Sequence, residues 1–172
     1  MDLISVACFM FGFAIAIAIL VFAMRHMNSD KKLCTKYDER QLRARGNAFK
    51  YGFYAMLIAC AIFMMLEQME FLAVLGSTSY FILLIIGVIT QFSYAIFKDA
   101  YIGINTKASK FIVFMALIGL FNLGIGALIC AEDGFIVDGV LGSGVVNLIC
   151  GGMCVILLSE LAIKKVIDTK AS

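Results

Sequence analysis

The chain contains no proline, one histidine and little charge, 15% of residues against 63% from the hydrophobic set. Each shortage excludes something. A soluble domain of this size is excluded because 14 Lys and Arg with 12 Asp and Glu, clustered between long uncharged runs, cannot cover its core with polar surface. The single histidine, His26, stands beside Arg25 with no metal partner near it and reads as an interfacial residue. Absent proline removes a common cause of broken helices. The six cysteines show neither metal-ligand spacing nor a secreted disulfide framework. Cys60, Cys150 and Cys154 fall inside apolar runs and Cys34 in a basic segment, which leaves Cys8 with Cys130 as the one pairing kept open. No Asp, Glu, Lys, Arg or His lies near the middle of an apolar run, which argues against a proton relay or buried ion pair. Ser159 with Glu160 has no base partner in sequence, so no catalytic set, cofactor or metal site is expected.

What is present is hydrocarbon-compatible length. A helix needs about 20 apolar residues to cross a bilayer, and residues 3–24, 51–70, 80–97, 111–131 and 139–163 supply five such stretches. They predict an all-α, polytopic helical bundle with residues 1–172 as a single membrane domain. Glu67, Gln68 and Glu70 blur the far end of the second stretch, and Gly76-Ser77-Thr78-Ser79 marks the turn into the third. The first stretch is too long for a removable signal peptide and lacks a basic start and a cleavage pattern, so it reads as a retained span.

Cytoplasmic loops accumulate Lys and Arg. Threading five spans with the N-terminus outside and the C-terminus inside places all 14 basic residues on the inner side, whereas the outer segments hold only acids: Asp2, Glu67, Glu70, Glu132, Asp133 and Asp138. The inner segment from Arg25 to Lys50 carries a net charge of +5 and attracts anionic lipid head groups. Nucleic acid is not expected as a partner, because a short basic segment beside a bilayer offers no folded reader. Within this segment residues 38–50 predict a juxtamembrane helix that runs into the second span, with Gly46 as a point where it could bend. Asp38 caps it with Gln41 three residues on, Glu39 stands at pairing distance from Arg43, and Leu42, Phe49 and Phe53 recur on one face.

Polar and small residues inside the spans fall into stripes at helical spacing. The third span carries Gly87, Thr90, Gln91 and Tyr94; the fourth Gly119, Asn122, Gly126 and Cys130; the fifth Gly144, Asn147, Cys150, Gly151 and Cys154. Close helix packing with amides bonding across the contact is one reading. A polar path lined by Thr90, Gln91, Tyr94, Asn122, Asn147, Cys150 and Cys154 is the other. In the first span, Gly12 with Ala16 and Ala14 with Ala18 form small-xxx-small pairs suited to close helix contact.

Asp38-Glu39-Arg40-Gln41 followed by Arg45-Gly46-Asn47-Ala48-Phe49-Lys50-Tyr51 resembles a stretch in small multispan membrane proteins of Gram-positive bacteria. The resemblance implies a bacterial cytoplasmic membrane and no activity; its polar members here are Asp38, Glu39, Arg40, Arg45 and Lys50. With Arg43 these residues form a candidate cytoplasmic contact. The leading expectation is a non-enzymatic membrane component of accessory, sensory or immunity type, acting on a membrane or cytoplasmic protein partner. A small transporter or channel, oligomeric and using spans three to five, is the alternative. A membrane-embedded lipid-modifying enzyme is the third, and it requires an acid, base or metal site that the sequence does not display.

Overall fold

The computed structural model describes residues 3–66 and 70–171. Among the described residues the chain forms helices α1 (Leu3–Met27), α2 (Glu39–Leu66), α3 (Glu70–Leu75), α4 (Thr78–Phe97), α5 (Ala108–Asp133) and α6 (Ser143–Ala171). A small antiparallel hairpin of β1 (Ile136–Val137) and β2 (Val140–Leu141) joins the last two helices. Helices α1, α2, α4, α5 and α6 are long and apolar enough to cross a membrane, so the all-α, five-span architecture holds.

Three helix pairs make the bundle: α2 lies along α4, α5 along α6, and α4 against α6. Lipid is as apolar as leucine, so burying apolar surface gives such helices little reason to associate, and close backbone approach takes over. The small-residue stripes serve that approach. A Cβ added at Gly52 would lie 2.7 Å from the Gly87 carbonyl oxygen, and one added at Gly144 would lie 2.7 Å from Cys130 Sγ and 3.0 Å from the Gly126 carbonyl oxygen. Among the described residues α1 differs from the other spans, since it has no extensive seam with any of them.

The apolar core sits toward the end of the bundle that carries the basic residues. Ile96, Leu157 and Leu161 are buried there, with Phe92, Tyr101, Met115 and Met153 packed around them. The opposite, acidic end is closed by α3 and the hairpin, which meet where Gly76 packs against the Val140 side chain.

The juxtamembrane helix runs into the second span as expected, giving one uninterrupted helix, Glu39–Leu66, because the helix pattern of residues 39–50 continues directly into the apolar stretch. Other boundaries differ from those the sequence predicts. The predicted end of that span at residue 70 falls partly on residues 67–69, outside the described residues, and Glu70 opens α3. The fifth span starts at Ser143 and not at residue 139: Asp138 and Gly139, both at positive φ (51° and 82°), form the two-residue turn of the hairpin. Cys130 is a buried free thiol, while the side chain of Cys8 lies outside the described residues.

Candidate functional site

Two loops at the basic end, residues 28–38 and 98–107, are knitted into one plate, and Asn105 is its hub. The Asn105 side chain accepts from the Lys36 amide at 2.8 Å and donates to the Cys34 carbonyl at 3.1 Å and to both Asp30 carboxylate oxygens at 3.2 and 3.3 Å. An amide N–H can only donate and a carbonyl only accept, so these partners fix which way the Asn105 amide points. Its own carbonyl accepts from the Ser29 amide at 2.7 Å and the Ser29 hydroxyl at 3.1 Å. Asn28 completes the seam, accepting from the Thr106 hydroxyl at 2.7 Å and donating to the Lys32 carbonyl at 2.7 Å. Both asparagines are buried, so the bonds are ones the plate must keep. The Lys32 amide does most to hold the Asp30 carboxyl below its ordinary range; desolvation opposes it, and Asn105 and Lys36 assist.

The plate fixes the spans beside it. Lys107 donates its amide to the Met27 carbonyl at 3.1 Å, tying the end of α1 to the start of α5. On α2, Gln41 is buried and donates to the carbonyls of Asp99 at 2.8 Å and Ile102 at 3.1 Å. Its backbone amide donates to the Asp38 carboxylate at 2.6 Å, and its side-chain oxygen accepts from the Asp38 backbone amide at 3.3 Å, forming both halves of a capping box. One turn on, the Arg45 guanidinium lies over the Tyr37 ring at 4.2 Å and donates to the Ala100 carbonyl at 3.3 Å. Asp38 and Arg45 therefore hold the helix in place. Of the other residues in the candidate contact, Arg40 reaches Asp99 at 3.9 Å and Lys50 stands 5.8 Å from the Tyr54 ring centroid. Glu39 and Arg43 remain exposed and form no ion pair with each other among the described residues.

Below the plate lies a cavity of about 520 Å³, bounded by Leu20, Met24 and Met27 of α1, Phe111 and Met115 of α5, and Met153 and Cys154 of α6, with Tyr37 and Arg45 at its polar rim. It occupies the gap left because α1 joins the bundle through the plate and little else. Compared with family models, curated proteins and solved structures, the chain has no significant match.

The residues of the proposed polar path are distributed differently. Thr90 and Asn122 each turn back on their own helix, donating to the Ile86 carbonyl at 2.8 Å and the Ile118 carbonyl at 2.9 Å. Gln91 stands against Gly52 at the α2–α4 approach, and the Tyr94 ring meets that of Tyr51 at a tilt of 44°, with centroids 5.0 Å apart. Asn147 and Cys150 are half-buried on α6, and Cys154 is buried facing Gly119. A polar link the sequence left unpaired joins α4 to α6: the Ser93 hydroxyl donates to Glu160 Oε1 at 2.8 Å, while Glu160 Oε2 is buried with no hydrogen-bond partner among the described residues.

Neither Asn28 nor Asn105 figured among the sequence candidates. The signal available was only local, since Asn28-Ser29-Asp30 and Gly103-Ile104-Asn105 have the composition of turns.

Proposed function

We propose that the protein is a non-enzymatic component of the bacterial cytoplasmic membrane, oriented N-out and C-in, that engages an acidic protein partner through the cytoplasmic extension of α2. One observation carries this reading: the extension is a helix whose buried face is already occupied and whose adjoining apolar stripe is not. Gln41, Arg45 and Ala48 point into the plate and bundle. Leu42 and Phe49, about a quarter-turn around the helix from that face, are each 56% exposed. Gly46 between them has no neighbour within 4 Å of an added Cβ. Exposed Glu39, Arg43 and Lys50 border this apolar stripe with net positive charge, which favours a partner whose groove is apolar and rimmed by acids. A preformed helix also loses little conformational entropy on docking.

A photo-crosslinking residue placed at Arg43 in the full-length protein in cells is expected to yield one defined protein adduct. Adding Leu42→Ala should reduce that adduct about tenfold, the scale expected when an apolar anchor loses roughly 1–2 kcal/mol. Gln91→Leu should leave it unchanged. Adducts with lipid alone, or an equal loss from Gln91→Leu, would count against the proposal.

A further inference from the structure

A second feature of the basic end lies on the far side of α1 from the cavity. Arg25, His26, Lys31, Lys107 and Lys110 converge with Phe22 on a recess of about 310 Å³ whose lining contains no carboxylate. The four cations among them, Arg25, Lys31, Lys107 and Lys110, come from three segments that the plate holds together: the end of α1, the loop after it and the start of α5. Bringing like charges together opposes folding unless something neutralises them. Two of them, Lys110 and Arg25, are also held in place by hydrogen bonds. The Lys110 amine lies 3.1 Å from His26 Nε2 and donates to the His26 carbonyl at 3.0 Å. An ammonium has no acceptor, so Nε2 accepts that bond. Arg25 Nε donates to the Lys31 carbonyl at 3.1 Å, and Lys31 itself has φ 54°, a left-handed conformation that is uncommon for a residue with a side chain. The nearby carboxylate of Asp30 is turned toward Asn105 and Lys36 and leaves the recess cationic.

The recess also lies at the right depth. It begins where the apolar run of α1 ends, and its apolar edge is Phe22, 72% exposed and stacked beside the His26 ring with centroids 6.3 Å apart. A free anion would leave that ring uncovered. A lipid would cover it with glycerol and the first carbons of a chain while its phosphate met the lysines.

We propose that this recess is a binding site for the phosphodiester group of an anionic membrane lipid. Arg25, Lys107 and Lys110 supply the charge-assisted hydrogen bonds and Phe22 the apolar contact. The inference goes beyond the α2 contact and stands independently of it.

Native mass spectrometry of the full-length protein in mild detergent tests it, with phosphatidylglycerol, phosphatidylcholine and inorganic phosphate as separate probes. Phosphatidylglycerol should be retained in preference to phosphatidylcholine, and Arg25→Gln/Lys107→Gln/Lys110→Gln should cut that preference about tenfold or more. Lys32→Gln/Lys98→Gln/Lys165→Gln removes the same charge from the same end outside the recess and should leave most of the preference. Lys107→Arg/Lys110→Arg should retain it, and the single Lys107→Gln change, at an exposed position, should show a smaller loss even where the triple variant is unstable. Equal losses in the two triple variants would overturn the site, since they would mean attraction by net charge alone. Inorganic phosphate displacing the lipid at similar concentrations would overturn the lipid assignment.

Discussion

Replacing Asn105 by alanine should lower the melting temperature of the detergent-solubilised protein by about 5–10 °C. The change strands the Lys36 amide and the Cys34 carbonyl, both of which Asn105 satisfies. A stranded buried polar group costs about 1–3 kcal/mol, and water reaching the plate recovers part of it, so a net loss of about 2–4 kcal/mol is expected. For a chain of this size each kcal/mol moves the transition by roughly 2–4 °C. Asn105→Asp should do no better, because it removes the donor to Cys34 and places a second carboxylate against Asp30. The loosened loop 28–38 should also be cut faster in limited proteolysis. A melting temperature within about 1 °C of the parent, on a scale where surface changes stay within ±0.5 kcal/mol, would show that the plate does not hold the two loops.

Gly144→Ala should be destabilising although alanine is the better helix former. In an open helix position the exchange gains up to about 1 kcal/mol. At residue 144 the new methyl would lie 2.7 Å from Cys130 Sγ and 3.0 Å from the Gly126 carbonyl oxygen. The thiol has some freedom to move, but the backbone oxygen on α5 moves only if the helices separate. Overpacking of this kind costs about 1–3 kcal/mol and outweighs the propensity gain. Gly152→Ala is the matched control on the same helix, with nothing within 4 Å of its added Cβ, and should equal or exceed the parent in stability. If the two variants melt alike, α5 and α6 are not joined along this face.

Charge and hydropathy made most of the fold legible. The five spans were readable because a bilayer demands long uncharged runs, and the acidic and basic segments alternate between them. The Asp38–Gln41 capping box was readable because its geometry is local, as were the glycine stripes that bring α5 onto α6. The hairpin was missed despite a legible signal, Asp138-Gly139 between Ile136-Val137 and Val140-Leu141, because its second strand, Val140-Leu141, was absorbed into the fifth span. Pairing of Glu39 with Arg43 was expected from spacing alone, but exposed pairs of this kind contribute little, and Arg40 turns to Asp99. The plate was not legible. Asn28 and Asn105 are separated by two spans and a turn, and no periodicity in either loop says that it binds the other.

That plate also explains why the exposed stripe on α2 and the basic recess beside α1 are found at the same end of the molecule. Gln41 and Arg45 orient one helix on the loop 98–107, while Lys107 and Thr106 from that loop orient the other. A disturbance at Asn105 is therefore expected to affect both surfaces, whereas Gly144 bears on the seam between α5 and α6.

Everything proposed for this end requires it to face the cytoplasm. Labelling with a membrane-impermeant maleimide decides that directly, using a variant that retains exposed Cys34 as its single cysteine and a companion in which Asp138→Cys in the opposite hairpin is the single cysteine. The hairpin thiol should react in intact cells, and Cys34 only after the membrane is permeabilised. Labelling of Cys34 in intact cells would place the plate, the α2 stripe and the basic recess on the outside and contradict the assignment.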